Sequence, residues 1–256
     1  MPKLLSSVKK ALEVLQTFSE DKPTLSLTEI STRLGTHKSS ISRIMATLTA
    51  EGFVEKNPGG RGFRLGLKIV DLANRALGGL DLRSHASPYM EALAERVQEM
   101  VHLSVLDQNQ IVYVEKKGER QGLTVGSKVG GRNPAHASAM GKILLAGLAA
   151  DELSRVLKSG PLERLTPNTI TDLRELIVEI EAVRKNGYAV DNEESFPGIR
   201  CVAAPICSRN GRVVAAISAT VPVQRMGEKR MKEIRAEVME TARLISERVR
   251  MSELGG

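Results

Sequence analysis

The chain has 256 residues, 41% hydrophobic and 26% charged, the balance of a water-soluble globular protein with room for one large or two ordinary domains. Four Phe, three Tyr and no Trp are too few rings for a base-stacking platform for single strands. The net charge of +7 is uneven: residues 1–80 hold 12 Lys and Arg against 7 Asp and Glu, residues 81–256 hold 25 against 23, and the excess in the first third points to a polyanionic partner there.

No stretch reaches the ~18 apolar residues that span a bilayer. The amino-terminal segment is interrupted by Lys9 and Lys10 and lacks a signal-peptide core, so a cytoplasmic protein with no membrane contact is expected. If Cys201 and Cys207 share one extended strand they lie roughly 20 Å apart, beyond disulfide reach, and are free thiols of a reducing compartment.

In chain order, Val8, Ala11, Leu12, Leu15 and Phe18 recur at helical spacing and predict a helix over about 6–19. Ser26 and Glu29 form a capping box for a short helix that runs to Leu34 and ends at Gly35. Thr36 is placed to cap a third helix reaching about Glu51. "FVEK", the turn "NPGGRG" and "FRLG" then read as a hairpin. Three helices followed by a hairpin are the order of a winged helix-turn-helix. "LKIVDLANRAL", residues 67–77, reads as a linker helix, and "GGLD" as the boundary between a domain at 1–80 and another at 81–256.

The third helix carries an unusual outer face. With Ile41, Ile44, Met45 and Leu48 turned inward, Ser39, Ser42 and Arg43 point outward, while Lys38 and Ser40 flank the amino end. That end suits a phosphate, because unpaired N–H groups and the positive end of the dipole lie there. Short serines let a helix approach base edges, and Arg43 can meet guanine or a phosphate. Arg61 and Arg64 in the wing can reach the backbone or the minor groove. Double-stranded DNA is therefore the expected partner of Lys38, Ser39, Ser40, Ser42, Arg43, Arg61 and Arg64.

Beyond residue 81 the reading is a helix over about 82–99, kinked or restarted at Pro88, then strands at "VHLSVLD" and "IVYVEKK". A Gly-rich region leads into the helix "ILLAGLAA". Helices at about 150–158 and 171–186, strands near 188–192, 200–208 and 212–221, and a final helix over about 227–250 complete an α+β pattern. Asn210-Gly211 signals a two-residue hairpin turn. Pairing Arg209 with Arg212 then sets Cys201 opposite Thr220 and Ala203 opposite Ser218, a small, partly polar patch on one sheet face with room for a ligand.

"SSVKKALEVLQTFSE…LSLTEISTRLGTHKSSISRIMATLTAEGFVEK", "PAHASAMGKILLA" and "GYAVDNEESFPGIRCVAAPICSRNGRVVAAISATVP" together resemble the IclR family of bacterial transcriptional regulators over essentially the full length. The resemblance implies a winged helix-turn-helix, a linker helix and a GAF-like α/β effector domain built on an antiparallel sheet. It also implies dimers that commonly pair into tetramers, a pseudo-palindromic operator, and a small organic effector, often a carboxylate or aromatic acid. Carried over residue by residue, it implies effector contacts from the Ala139 and Met140 N–H groups and from Asp191, Cys201, Ser218 and Thr220. His136 is a further candidate for that pocket, and Met140 and Thr220 are bulkier than the residues common at those places, which narrows the cavity. Glu193 and Glu194 read as a solvated or inter-element pair, and Lys142 as structural.

Two other functions fit single features. A winged helix can serve as a protein-interaction adaptor, and His136, Asp191 and Cys201 can be drawn as a nucleophilic triad of an enzyme. Against catalysis, Cys201 has no nucleophile elbow, "GGRNPAHASAMGK" lacks the phosphate-loop spacing, and four His and two Cys show no zinc pattern. No catalytic residue, metal or cofactor is expected.

Overall fold

The computed structural model describes residues 4–19, 21–78, 82–118 and 127–252. The chain divides into two compact units, Met1–Leu80 and Asp81–Gly256. The predicted boundary at Gly78–Asp81 lies, past Gly78, outside the described residues.

Unit one contains α1 (Ser6–Gln16), α2 (Leu27–Leu34), α3 (Lys38–Ala50), β1 (Val54–Lys56), β2 (Phe63–Leu65) and α4 (Lys68–Gly78). Helix α1 stops at Gln16, short of the expected residue 19, where the Thr17 hydroxyl donates to the Val14 carbonyl. The capping box of α2 forms: Ser26 N–H donates to Glu29 Oε2 at 2.8 Å and Glu29 N–H to Ser26 Oγ at 3.3 Å. Gly35 ends α2 with φ +57°, where glycine is free of Cβ strain. Thr36 does not cap α3; its hydroxyl turns back to the Leu34 carbonyl, and His37 becomes the N-cap residue without a side-chain bond. The core comprises Val14, Leu25, Ile30, Ile41, Met45, Leu48 and Val54, so the inward face of α3 is the apolar series its spacing implied. Leu25 and Phe63 exchange backbone hydrogen bonds and tie the chain before α2 to the hairpin. A Cβ on Gly66 would lie 2.2 Å from the Gly52 carbonyl oxygen, so the return of the wing requires glycine there.

Unit two is a six-stranded antiparallel sheet of order β5-β4-β3-β8-β7-β6. The strands are β3 (Met100–Asp107), β4 (Gln110–Lys117), β5 (Arg132–Pro134), β6 (Ala189–Asn192), β7 (Ile199–Cys207) and β8 (Val213–Pro222). The helices are α5 (Leu82–Val97), α6 (Ala139–Ala146), α7 (Ala150–Leu157), α8 (Leu173–Asn186) and α9 (Glu228–Ser252). Helix α5 runs through Pro88 without restarting. Helix α9 packs on β7 and against α5, while α6 packs on β7 and β8 and against α8. The three-residue edge strand β5 was not expected. The α+β architecture of a winged helix-turn-helix followed by an antiparallel-sheet domain matches the reading of the sequence.

The β7–β8 register is the expected one, with Cys201 opposite Thr220 and Ala203 opposite Ser218. The turn that produces it is not. Ser208, not Arg209, faces Arg212, closing a three-residue loop with Gly211 at φ +78°. That shift is cancelled by a bulge at Val214, between the pairs Cys207–Val213 and Ile206–Ala215. Cys201 and Cys207 both lie on β7 and are unbonded.

Candidate functional site

The outer face of α3 is open. Lys38, Ser39, Ser40, Ser42 and Arg43 are all exposed, as are Ala46 and Thr47 one turn further on. Among the described residues no acid pairs with Lys38, Arg43 or Arg61, so these three exposed cations stand uncompensated in unit one. Arg64 differs: it faces Glu55 across the wing and its Nε lies 2.6 Å from Glu55 Oε1. Arg61, in the turn between the two strands, has no such partner among the described residues. Helix α3 has no acid in its first turn, which keeps its amino end positive.

The second site is a cavity in unit two between the amino end of α6 and the face of β3, β8, β7 and β6. Ala139, Met140, Asp191, Cys201, Ser218 and Thr220 all border it. Sequence reasoning missed His102, Tyr113, Asn133, Ser138, Ser195, Phe196 and Ile199, which border it too. One signal was available. His102 and Ser104 alternate on β3, and the sheet sets His102 opposite Ser218. Tyr113 and Asn133 arrive on β4 and β5, whose neighbours only the fold decides. His136 is not in the cavity. It lies in the 3₁₀ turn Ala135–Ala137, where successive side chains are thrown about 120° apart. Its Nε2 instead meets the Glu163 carbonyl at 2.9 Å, beside a smaller void bordered by Leu145 and Val156.

Helix α6 brings its end close because Gly141 permits it: a Cβ there would sit 2.0 Å from the Ala135 carbonyl oxygen. Ser138 Oγ caps the helix by accepting from Gly141 N–H at 3.0 Å. The N–H groups of Ala139 and Met140, in the first turn, have no intrahelical acceptor. Met140 borders the cavity from the helix side, its Sδ accepting from Ser104 Oγ at 3.2 Å. The remaining cavity is about 20 Å³, little more than one water needs. Met140→Ala is expected to cost about 2–5 kcal/mol in a denaturant titration. A loss under about 0.5 kcal/mol would show that this buried side chain contributes little to the packing there.

The polar wall is buried. Asp191 is 2% exposed, and its Oδ1 accepts from Glu194 N–H at 2.7 Å and Ser195 N–H at 3.4 Å. Burial, reinforced by the charge of Glu194, pushes its carboxyl up to about 6 despite those bonds. Behind it, Lys142 is 1% exposed and bridges Glu194 Oε1 at 2.8 Å and Glu179 Oε1 at 3.0 Å. Glu194 is thus a buried inter-element partner, not a solvated acid, and Lys142 serves structure. Glu193 turns its carboxylate to the Gly198 N–H. Burial holds His102 down to about 3, so the ring is neutral, with Nδ1 3.1 Å from Thr220 Oγ1 and Nε2 2.8 Å from Ser127 Oγ. Burial pushes the Cys201 thiol up, and its near partner is Thr220 Oγ1 at 3.4 Å, not a histidine. With His136 elsewhere, the triad of His136, Asp191 and Cys201 is not assembled. Among the described residues no group of three or more His, Cys, Asp or Glu is arranged to hold a metal ion.

Two family descriptions match the chain. The IclR helix-turn-helix domain matches residues 7–58, which include α3, and the C-terminal domain of the bacterial transcriptional regulator IclR matches residues 74–247, which include the cavity. The transcriptional regulator KdgR of Escherichia coli is 36% identical over 245 residues, covering 96% of this chain and 93% of its own. XynR of the same organism is 32% identical over 243 residues, covering 95% and 96%. An IclR homologue from Microbacterium hydrocarbonoxydans, solved with 4-hydroxybenzoate, superposes with a TM-score of 0.84 at 31% identity, covering 96% of this chain and all of that one. With both domains matched and relatives above 30% identity along nearly the whole length, the protein belongs to the IclR family of bacterial transcriptional regulators, DNA-binding proteins rather than enzymes.

Proposed function

We propose that the protein binds a pseudo-palindromic operator through α3 and the wing, and that a small organic acid, carboxylic or aromatic, held in the α6 cavity sets its operator affinity. The observation that carries this reading is the cavity itself. Two backbone N–H groups at the positive end of α6 meet a buried wall of Asp191, Cys201, Ser218 and Thr220. The structural relative bound to 4-hydroxybenzoate supports an acid as the occupant class. In this reading Lys38, Ser39, Ser40, Ser42 and Arg43 meet the major groove, and Arg61 and Arg64 the backbone or minor groove.

A homo-oligomer, a dimer or a dimer of dimers, follows from the two-fold operator. Exposed Leu5, Val8 and Leu12 on and before α1, and Leu67, Val70 and Leu72 on and before α4, support self-association of unit one. Half-sites would then repeat at about 34 Å or its multiples. Among the described residues no helix is long and apolar enough to cross a membrane, which supports a cytoplasmic location.

Control is a difference in affinity: the effector favours one quaternary arrangement and DNA favours one too. Operator affinity measured with and without an acid that raises the melting temperature is expected to differ about 5- to 150-fold. An acid that binds by calorimetry and leaves operator affinity unchanged would remove the proposed control. A footprint without two-fold repeat would remove the palindrome.

A further inference from the structure

We propose that DNA binding by this protein takes up a proton at His37, whose imidazolium meets a backbone phosphate beside the amino end of α3. This rests on the reading of α3 as the DNA-contacting helix and adds to it a further residue and a pH dependence.

His37 is the N-cap residue of α3, with φ −55° and ψ 135°, and its carbonyl accepts from Ser40 N–H at 3.0 Å and Ile41 N–H at 3.1 Å. Its backbone is thus fixed by the helix it starts. Its side chain is exposed and makes no cap bond. Ser26, Ser138 and Asp172 cap α2, α6 and α8 through side-chain oxygens, which occupies N–H groups at those ends. At α3 the imidazole leaves such groups open, and the Lys38 and Ser39 N–H groups have no intrahelical acceptor. That the ligand is DNA does not hang on this helix end, because the IclR helix-turn-helix domain matched over residues 7–58 includes it.

Charge decides the fit. A neutral imidazole has one N–H and one lone pair, whereas an imidazolium donates from both nitrogens. A phosphate oxygen only accepts, so it holds the protonated ring by a charge-assisted bond roughly twice as strong as a neutral one. Histidine is the side chain whose charge ordinarily changes between pH 5 and pH 8. His37 is the single histidine of residues 1–80, and neither cysteine lies there.

No protein anion answers that charge. On α3 itself stand Lys38 and Arg43, and Glu51 closes the opposite end, about 20 Å away along the axis and beyond a Debye length. Helices α1 and α2 and strand β1 pack against α3. On α2, Arg33 donates to the Thr17 carbonyl, and Glu29 is taken by Lys22 and the capping box. On α1, Glu13 pairs with Lys9 and Lys10 adds a cation; on β1, Glu55 pairs with Arg64 and Lys56 adds another. A DNA phosphate is the anion that protonation of His37 would meet.

Fluorescence anisotropy of the full-length protein on a labelled random-sequence duplex of about 30 base pairs tests this, in potassium chloride series at pH 6 and pH 8. Such a duplex serves because phosphate contacts carry no sequence information. Parent affinity is expected to fall about tenfold or more from pH 6 to pH 8, with the salt slope falling by about one per bound subunit. His37→Gln, neutral at both, is expected to lose that dependence and bind as the parent does at pH 8. His37→Lys, charged at both, is expected to bind as the parent does at pH 6. The difference between parent and variant isolates His37, because groups common to both, Asp191 at about 6 among them, cancel. Lys38→Gln and Arg43→Ala report on the face itself and are expected to weaken binding at both pH values. Equal pH profiles in the parent and His37→Gln, with either of those two variants weakened, overturn the proton uptake and leave α3 on the DNA. Weakening by neither overturns both.

Discussion

Replacing Arg43 and Arg61 together by alanine is expected to weaken operator binding about a hundredfold or more while the fold stays intact. Both side chains are exposed, and neither has an acid partner among the described residues, so no internal ion pair is broken. Arg43 projects from the middle of α3 on the face opposite Ile41 and Met45, where a bidentate contact to a base is worth about 1–3 kcal/mol. In the proposed complex Arg61 at the wing tip makes a phosphate or minor-groove contact, and its loss is expected to lower the slope of log affinity against log salt by about one. Fluorescence anisotropy on an operator duplex over a potassium chloride series reads both effects. Arg64→Ala is the comparison with a smaller expected effect on DNA, because Arg64 already pairs with Glu55 at 2.6 Å. Unchanged affinity and salt slope in the double variant would leave α3 without its proposed role and favour an adaptor.

The second expected result concerns stability and pH. The Asp191 carboxyl sits at about 6 in the folded protein against 3.8 when unperturbed, because burial disfavours its charge. A group raised on folding contributes stability that is fully present below the unfolded value and is lost as pH rises through the folded one. Stability from Asp191 is therefore present below about pH 4 and lost through about pH 6, and above that its ionised form costs up to about 3 kcal/mol. Asparagine keeps an oxygen for the Glu194 and Ser195 N–H groups without the charge. Asp191→Asn is thus expected to be more stable than the parent by up to about 3 kcal/mol at pH 8 and equal to it at pH 4, by urea titration. A variant less stable at pH 8 would mean that Lys142, through Glu194, more than offsets the burial of that charge. The gain should come with loss of ligand affinity, the usual trade when a strained polar group is kept for binding.

Much of the molecule was legible because local rules decide it. The apolar stripe of α3, the Ser26–Glu29 capping box and the glycine at position 35 are short-range events, and they stand where the sequence placed them. The β7–β8 register was also legible, although by two compensating shifts: a longer loop closed at Gly211 and a bulge at Val214 restore the pairing that a simple two-residue turn would have set. Thr36 shows the limit of local reasoning. Its hydroxyl had two acceptable uses a few residues apart, and the Leu34 carbonyl took it.

The amino-acid sequence alone determined the element order apart from β5, the exposed cationic serine-rich face of α3 and the Cys201, Ser218 and Thr220 part of the cavity, because each follows from periodicity, capping or a hairpin within a few tens of residues, while the family and the places of Ala139, Met140 and Asp191 came from the resemblance of longer motifs. Only the tertiary structure decided that β3, β4 and β5 deliver His102, Tyr113 and Asn133 to the same cavity, that His136 turns away from it, and that Lys142 is buried between Glu194 and Glu179. Those outcomes depend on which distant strands become neighbours and on which polar groups must be satisfied once water is excluded, and both are set by packing across long separations in the chain.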